Sequence, residues 1–307
     1  MKKVLFVATV VRLHINMFHK PYIHWFHEQG WQVDVAANND YENPDECVIP
    51  YCDHFYCLPF ERSPLKKGNL DAYKQLKKLL DREHYDIIHC HTPMGSVITR
   101  LAAASVGNKE TKVLYTAHGF HFYKGAPLLN WLVYYPIERL LAHKTDLLIT
   151  MNQEDFSIAQ KFRAGRVVMV NGVGMDMERF SEASFEDKQR IRCALGLNEA
   201  DIFAISVAQL IKRKNHAVLI RAVAELEDPQ FHLFICGDGK QEQELKDLAE
   251  ALGVASQIHF FGFLQECLYF MQCGRYIFVW FSSGGASGCC NGSYGMWLAD
   301  YCIRYPG

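Results

Sequence analysis

Short apolar segments alternate with helical patterns along most of the chain, and this alternation constrains the fold more than any other feature. Helical patterns such as 19–29 and 70–82 separate most of the apolar segments. Alternating strands and helices form a parallel sheet with helices on both faces, which predicts an α/β fold. A polar loop is expected between the first strand and the first helix. The predicted strands are 3–9, 32–37, 86–90, 112–117 and 147–150.

A second series of strands and helices follows a glycine-containing break at Asn171-Gly172-Val173-Gly174. Helices are predicted at 185–195 and 216–226, with a further amphipathic helix after residue 239. The strands of this series are predicted at 203–208, 231–236 and 258–261. The sequence therefore predicts two Rossmann-like, doubly wound domains that face a cleft. Their predicted ranges are 1–175 and 176–307.

Composition excludes several classes of function. The chain carries 32 Lys and Arg against 34 Asp and Glu, so no nucleic-acid partner is expected. No apolar run approaches the roughly 18–20 residues of a membrane-spanning helix. Residues 1–11 resemble a signal peptide but lack a small-residue cleavage site, and we interpret them as a buried strand. The 11 scattered cysteines suit a reducing compartment, so a cytoplasmic location is expected.

Nucleotide-binding signatures are missing where they would be expected. Neither G-x-G-x-x-G nor G-x-x-x-x-G-K-[ST] follows the first strand, which argues against a dinucleotide oxidoreductase and a P-loop ATPase. Ligands of doubly wound sheets bind at the carboxyl ends of the strands. The loops after the strands are therefore where functional residues are expected.

Histidines stand at two of these strand ends. His89 and His91 share one face of a predicted strand, while His118 and His121 end the next one. Two interpretations stay open: polar side chains lining a cleft, or zinc ligands, since neutral imidazoles bind zinc well. No carboxylate or thiolate completes a recognisable ligand spacing, so the first is favoured and no metal is predicted.

Three cations follow a strand of the second series. Lys212-Arg213-Lys214 precedes a helix, so cationic side chains and a helix N-terminus converge where an anion such as a diphosphate could bind. Solvated surface charge is the alternative. Gly237 and Gly239, after the next strand, indicate a tight turn.

Five sequence stretches together resemble the retaining glycosyltransferases of GT-B fold in family four. Thr116 to His121 with the downstream KGAPLLNWLVYYPIE is similar to bacterial enzymes that add sugars to capsule, exopolysaccharide or O-antigen precursors. NGVGMDMERF resembles the interdomain segment of the family, and VAQLIKRKNHAVLIRA its donor diphosphate loop. FICGDG and IHFFGF follow in the family order. The resemblance runs from residue 1 to about residue 280.

This resemblance implies roles for individual residues. His118 takes the place of the histidine beside the donor sugar, and Lys214 that of the lysine that binds the donor diphosphate. Gln209 stands where the family usually has an arginine, and Lys212 or Arg213 could supply the missing charge. Gly237 and Gly239 belong to the donor side. The acceptor-side candidates are His14, Asn16, His19 and His91.

The resemblance also implies substrates and partners. The donor is expected to be a nucleotide sugar, UDP-linked, with no cofactor or metal and with retention through front-face attack. The acceptor is expected to be a polysaccharide or lipid-linked saccharide precursor at the inner membrane face. A helix near 128–141 could touch the membrane or belong to the core. Its large apolar residues include Leu129, Trp131, Leu132, Tyr134 and Tyr135.

The resemblance fails after residue 280. The family carries a glutamate pair there, whereas this chain reads FSSGGASGCCNGSYGMWLADYCIRYPG. Read one nucleotide later, permitted codons for these residues give the family motif, and Met296-Trp297-Leu298 must then give Cys-Gly. We therefore expect that a frameshift near 280–284 made 281–307 aberrant and left the second domain incomplete.

Three alternatives to an active transferase stay open. A truncated, inactive product could still bind an acceptor or a partner protein. A sugar-nucleotide epimerase would share the GT-B fold and the diphosphate site. A zinc hydrolase would use His89, His91, His118 and His121.

Overall fold

The computed structural model describes residues 1–172 and 184–262, except the side chain of Arg213, and the backbone of strands Tyr276–Val279 and Trp297–Leu298. The predicted boundary at residue 175 and nearly all of 281–307 lie outside the described residues. The described residues divide into two compact units, the first of residues 1–172 and the second of residues 184–262 with the two later strands.

The first unit is built on a seven-stranded sheet in which every neighbouring pair is parallel. Its strand order is β3-β2-β1-β4-β5-β6-β7. The order reverses between β1 and β4, where doubly wound sheets form their binding crevice. The strands are β1 (Lys3–Val10), β2 (Gln32–Asn38), β3 (His54–Cys57), β4 (Ile87–His91), β5 (Lys112–Ala117), β6 (Leu147–Thr150) and β7 (Arg166–Met169).

Helices cover both faces of this sheet because the strands are apolar on both sides. In β1, Leu5 and Val7 belong to one buried cluster and Val4 and Phe6 to the other. This is the two-residue alternation of a strand buried on both faces. The helices are α1 (Lys20–Glu28), α2 (Gly68–Arg82), α3 (Pro93–Val106), α4 (Leu128–Leu141) and α5 (Gln153–Ala159).

The second unit repeats the design on a smaller sheet with the order β10-β9-β8-β11-β12. Its strands are parallel except for β12, which pairs antiparallel with β11. The order reverses between β8 and β11. The strands are β8 (Ile202–Val207), β9 (Phe231–Cys236), β10 (Ile258–Gly262), β11 (Tyr276–Val279) and β12 (Trp297–Leu298), and the helices are α6 (Phe185–Ala194), α7 (His216–Leu226) and α8 (Glu242–Ala251).

The prediction of a doubly wound α/β fold is confirmed, but the polar loop after β1 is wrong. Residues Val11–His19 form a π-helical segment that leads directly into α1. Val11 and Ile15 are fully buried in the cluster that also contains Phe6. Burial of these two side chains stabilises a helical path through a segment whose polar residues suggested a loop.

No helix in the described part of the chain combines the length and the apolarity needed to cross a bilayer.

Candidate functional site

Four histidines meet at the carboxyl ends of β1, β4 and β5, where the strand order reverses. His14 and His19 come from the π-helical segment after β1. His91 is the last residue of β4, and His118 directly follows β5. Register pairs His91 with Thr116, so the two strand ends bring His91 and His118 close together.

The four imidazoles form one cluster, which we call the histidine cluster. The ring centroids of His19 and His91 lie 3.7 Å apart, and those of His14 and His118 lie 4.6 Å apart. One ring nitrogen from each of the four lies within 4.8 Å of the corresponding nitrogen of every other. Side chains from three strand ends therefore converge on one point.

Most of the ring nitrogens in the cluster are buried without a hydrogen-bond partner. Both nitrogens of His19 and both of His91 are in this state, as are Nε2 of His14 and Nε2 of His118. Buried polar atoms in proteins are nearly always paired, because an unpaired one costs about 1–3 kcal/mol. Several buried and unpaired polar atoms in one place are typical of a ligand-binding site.

Burial keeps these rings uncharged at neutral pH. Burial, followed by His118 and Arg62, lowers the pKa of His14 to about 3, and burial lowers that of His118 to about 4. The pKa values of His19 and His91 also lie well below the usual range, first because of burial. Neutral imidazoles can accept hydrogen bonds or bind a metal.

The ring of Phe6 and the backbone at Thr92 hold the cluster in place. The ring of Phe6 stacks on His91 with centroids 6.2 Å apart. Thr92, directly after β4, has φ of +61°, and its hydroxyl lies 2.6 Å from that of Thr9. A β-branched residue at positive φ is a genuine outlier and is typical of functional sites. The contacts of the Thr92 hydroxyl with Thr9 hold the strained backbone beside His91.

The loop that carries His118 is anchored from α5. The carboxylate of Asp155 accepts a hydrogen bond from the backbone N–H of Phe120 at 3.0 Å and from the Asn152 amide at 2.8 Å. Burial raises the pKa of Asp155 to about 6, although these hydrogen bonds oppose the rise. Asp155 is therefore a positioning residue for the His118 loop.

The four zinc ligands considered from the sequence do not come together. His89 lies beside the cluster, but its Nε2 is hydrogen-bonded to the Thr116 hydroxyl at 2.8 Å. The ring of His121 contacts that of Tyr134 at a tilt of 33°, with centroids 4.8 Å apart. Only His91 and His118 of that set enter the cluster, and His14 and His19 complete it. The zinc hydrolase set is thus wrong.

Asn16, the fourth acceptor-side candidate, turns away from the cluster toward the loop after β2. Its amide donates hydrogen bonds to the Tyr41 hydroxyl at 2.8 Å and to the Val48 carbonyl at 3.0 Å. These contacts hold the π-helical segment against that loop. Asn16 therefore stays outside the cluster, with Oδ1 buried and unpaired.

A pocket of about 290 Å³ opens beside the cluster. His14 and Thr92 line it, and so does Arg62, an exposed cation that the sequence analysis missed. Arg62 lies in an irregular loop with no motif, so no sequence signal points to it.

A larger pocket of about 560 Å³ opens in the first unit around Gly107 and Gly165. It lies at the amino-terminal edge of the sheet, where doubly wound sheets do not bind ligands.

Close backbone packing makes two glycines of the second unit necessary. A Cβ added at Gly237 would lie 2.0 Å from the Ala208 carbonyl oxygen, and one at Gly239 would lie 2.4 Å from that of Leu210. The loops after β8 and β9 are joined by a 2.7 Å hydrogen bond from the Leu210 N–H to the Asp238 carbonyl. The glycines therefore allow the two loops to meet at the strand ends.

The predicted cationic segment lies at this same edge of the second unit. Lys212–Lys214 forms a short 3-10 helix that ends at Asn215 in the left-handed conformation, and α7 begins at the next residue. Gln209 is exposed in the same loop. Basic side chains thus precede a helix N-terminus, as an anion site requires.

His216, in the second unit, is a further buried histidine, which the sequence analysis missed as a site residue. It is 2% exposed in the first turn of α7, and neither ring nitrogen has a partner. Burial, followed by the charge of Lys214, lowers its pKa to about 4. Helical periodicity places His216 on the same buried side as Leu219 and Ile220, so in the sequence it resembles a core position.

Two family models match the chain, one in each unit. The model described as Glycosyl transferase 4-like matches residues 3–152. The model described as Glycosyl transferases group 1 matches residues 187–280.

Two relatives of the chain are glycosyltransferases by name. The chain is 44% identical over 269 residues to the putative glycosyltransferase EpsD of Bacillus subtilis, covering 86% of this chain and 69% of the relative. A second relative is the UDP-Gal:alpha-D-GlcNAc-diphosphoundecaprenol alpha-1,3-galactosyltransferase of Escherichia coli. It is 31% identical to the chain over 192 residues, which are 58% of this chain and 48% of that protein. The structure of HepE from Anabaena in complex with UDP and glucose is similar at a TM-score of 0.70, with 18% identity over 92% of this chain and 75% of that one.

Proposed function

Because the chain belongs to the glycosyltransferases of GT-B fold that the 4-like and group 1 models describe, we propose that it transfers a sugar from a UDP-sugar to a lipid-linked saccharide. The observation that supports the proposal is the histidine cluster, which has His118 at the carboxyl end of β5, the edge at which doubly wound sheets bind ligands. The acceptor would be a precursor of an exopolysaccharide, as the resemblance of the stretch from Thr116 to His121 implies.

The donor diphosphate is proposed to bind at the loop after β8. Lys214, with Lys212 and the N-terminus of α7, would offset the charge that develops on the departing UDP. Gln209 stands where an arginine is usual in the family, so this site relies more on Lys214. UDP fits this role because UDP is the ligand in the HepE complex and UDP-Gal the donor named for the E. coli relative.

The transfer itself is proposed to retain the configuration at the sugar carbon. The acceptor hydroxyl would attack from the face that the diphosphate leaves, forming the new C–O bond as the bond to phosphate breaks. The hydroxyl proton would pass to an oxygen of the departing diphosphate. Neutral His118 would lie beside the sugar and accept a hydrogen bond from one of its hydroxyl groups, which orients the donor.

The acceptor is proposed to enter the 290 Å³ pocket beside the histidine cluster. Arg62 at its rim is suited to a diphosphate, because a guanidinium binds phosphate oxygens in pairs. His14 and Tyr134 on its walls offer hydrogen bonds and a stacking surface to a sugar. The E. coli relative acts on a diphosphoundecaprenol-linked sugar, which carries both features.

One face of α4 supports contact with the membrane that holds such an acceptor. Leu128, Leu129, Leu132 and Leu140 are 73, 68, 66 and 69% exposed, and Val133 and Ile137 lie among them. The three aromatic residues of the predicted membrane face instead pack partly buried against the core. The aliphatic face is proposed to lie on the inner surface of the cytoplasmic membrane, where it would insert into the headgroup region.

The transfer reaction is tested with the full chain, radiolabelled UDP-sugars and undecaprenyl-diphosphate-linked saccharides in vesicles. Label should move to the lipid fraction with at least one UDP-sugar, and GDP-sugars should give none. Label that appears only as free sugar would refute the acceptor. Absence of transfer from every sugar nucleotide, in a chain that is folded by circular dichroism, would refute the proposed reaction.

The membrane face is tested by vesicle sedimentation. Leu129→Ser with Leu132→Ser should lower binding to vesicles roughly 100-fold or more, because each buried leucine contributes about 1.5–3 kcal/mol. Leu70→Ser, on the exposed face of α2, is the matched control. Equal binding by wild type and the double variant would exclude α4 as the contact.

A further inference from the structure

The histidine cluster contains more unpaired nitrogen than sugar recognition requires. His14, His19 and His91 are each 9% exposed or less, and the cluster holds six ring nitrogens with no partner. A sugar hydroxyl group would satisfy one or two of them. A single ion that accepts one lone pair from each ring would use four nitrogens at once.

We propose that His14, His19, His91 and His118 form a binding site for a divalent transition metal ion, with Zn²⁺ as the ion that fits best. The candidate ligand nitrogens lie within 4.8 Å of one another. They come from three separate strand ends, so one ion could draw ligands from all three.

The chemistry of the donors selects the class of ion. Imidazole nitrogen suits Zn²⁺, Cu²⁺ and Ni²⁺, whereas Mg²⁺ and Ca²⁺ prefer oxygen ligands. No carboxylate belongs to the cluster in the described part of the chain.

The geometry needs only a small contraction to bind Zn²⁺. Zn–N bonds of about 2.0–2.1 Å put tetrahedral nitrogens roughly 3.4 Å apart, compared with 4.8 Å at most here. Two of the ligands, His14 and His19, are on the π-helical segment, and rotation of their side chains can close this gap. Stacking on Phe6 already fixes the plane of His91.

A bound ion would change what His118 can do. Nε2 of His118 cannot both coordinate Zn²⁺ and hydrogen-bond a donor sugar, so Zn²⁺ is expected to slow transfer and a chelator to restore it. Metal binding is measured without any sugar nucleotide. If no sugar transfer is detected, the proposal of a metal site is therefore unaffected, because metal binding is measured separately.

The test is a titration of the full chain after a chelator has removed metal. Zn²⁺ followed by calorimetry should bind with a stoichiometry of one, and Co²⁺ should give the intense visible absorption of a tetrahedral site. His19→Gln and His91→Gln should each weaken binding roughly 100-fold or more, because even outer-shell changes cost 10–100-fold.

Two histidines outside the cluster supply the controls. His121→Gln removes a nearby histidine of the discarded set, and His24→Gln removes an exposed one paired with Glu28. Both should bind Zn²⁺ like wild type. His14→Gln, at the edge of the pocket, gives a third ligand test if a deeper variant does not fold. No Zn²⁺ binding by wild type, or undiminished binding by the folded ligand variants, would overturn the proposal.

Discussion

The two units share a doubly wound design but differ in the chemistry at their strand ends. In the first unit, the loops after β1, β4 and β5 bring together neutral, buried histidines with unpaired nitrogens. In the second, the loops after β8 and β9 bring together lysines, a helix N-terminus and two glycines without room for a side chain. The topology fixes where a ligand binds, and the loop residues decide which ligand it is.

The difference follows from the charge of the proposed ligands. A sugar hydroxyl group or a metal ion needs lone pairs, which neutral imidazoles provide. A diphosphate needs positive charge and backbone N–H groups, which the loop after β8 offers with α7. The two sets of residues could not take each other's ligands. The uncharged histidines would not offset the charge of a diphosphate, and the charged lysines have no lone pair for a metal ion.

The largest effect that separates the two units is expected from Gly237→Ala. The added Cβ would lie 2.0 Å from a carbonyl oxygen, so the loop after β9 must shift, at a cost of about 3 kcal/mol or more. UDP binding, measured by calorimetry, should be lost, while Zn²⁺ binding to the first unit persists. Gly253→Ala, at positive φ but with no atom within 4 Å, should cost only roughly 1–2 kcal/mol. Intact UDP binding by Gly237→Ala would mean that the donor does not use this loop.

His118→Ala should show the converse separation. The rate of sugar transfer should fall roughly 100- to 1,000-fold because a hydrogen-bonding group beside the sugar is lost. The affinity for UDP, measured separately, should stay the same. His143→Ala, an exposed histidine after α4, is the control and should transfer at the wild-type rate. A His118→Ala enzyme that keeps its rate would remove the histidine from the reaction.

Lys214→Ala should weaken UDP binding by roughly 10- to 100-fold, the usual contribution of one charge-assisted hydrogen bond. The rise in affinity at low salt should also become smaller. Lys78→Ala, an exposed lysine of α2 in the first unit, provides the control. Equal loss in both variants would show that the chain attracts UDP only through its general charge.

The smallest effect concerns acid stability of the second unit. The pKa of His216 is about 4 in the folded chain and 6.5 when exposed, so the unfolded chain binds the proton first as pH falls. Stability is therefore lost from pH 6.5 downward, by about 1 kcal/mol between pH 7 and pH 5.5. His216→Leu should flatten this part of the curve in urea unfolding, whereas His24→Leu should not. A wild-type curve that is already flat would contradict the burial of a neutral His216.

The sequence predicted most of the strands to within one or two residues, because each buried strand is a short apolar run. The bounds of β5, β6, α7 and β9 agree with those of the structure. The prediction of the glycosyltransferase family is also confirmed, since its motifs are local stretches of sequence. The π-helical segment was missed because its polar residues break the apolar periodicity.

Part of the site followed from the sequence as well. His91 and His118 stand at the ends of neighbouring strands, so parallel pairing had to bring them together. Arg62 and Asp155 could not be found in this way. One lies in a loop without a motif, and the other acts through a hydrogen bond to a residue 35 positions away.

The sequence by itself determined the doubly wound fold, the family and the strand ends that carry chemistry, because these depend on local periodicity and on short motifs. Only the tertiary structure decided that His14 and His19 join the other two histidines. Five residues apart, they would lie about 140° apart around an α-helix of 3.6 residues per turn. The π-helical turn, whose hydrogen bonds span five residues, brings their rings within 5.0 Å. That turn is held by the burial of Val11 and Ile15 against the sheet, a contact that forms only when the sheet does.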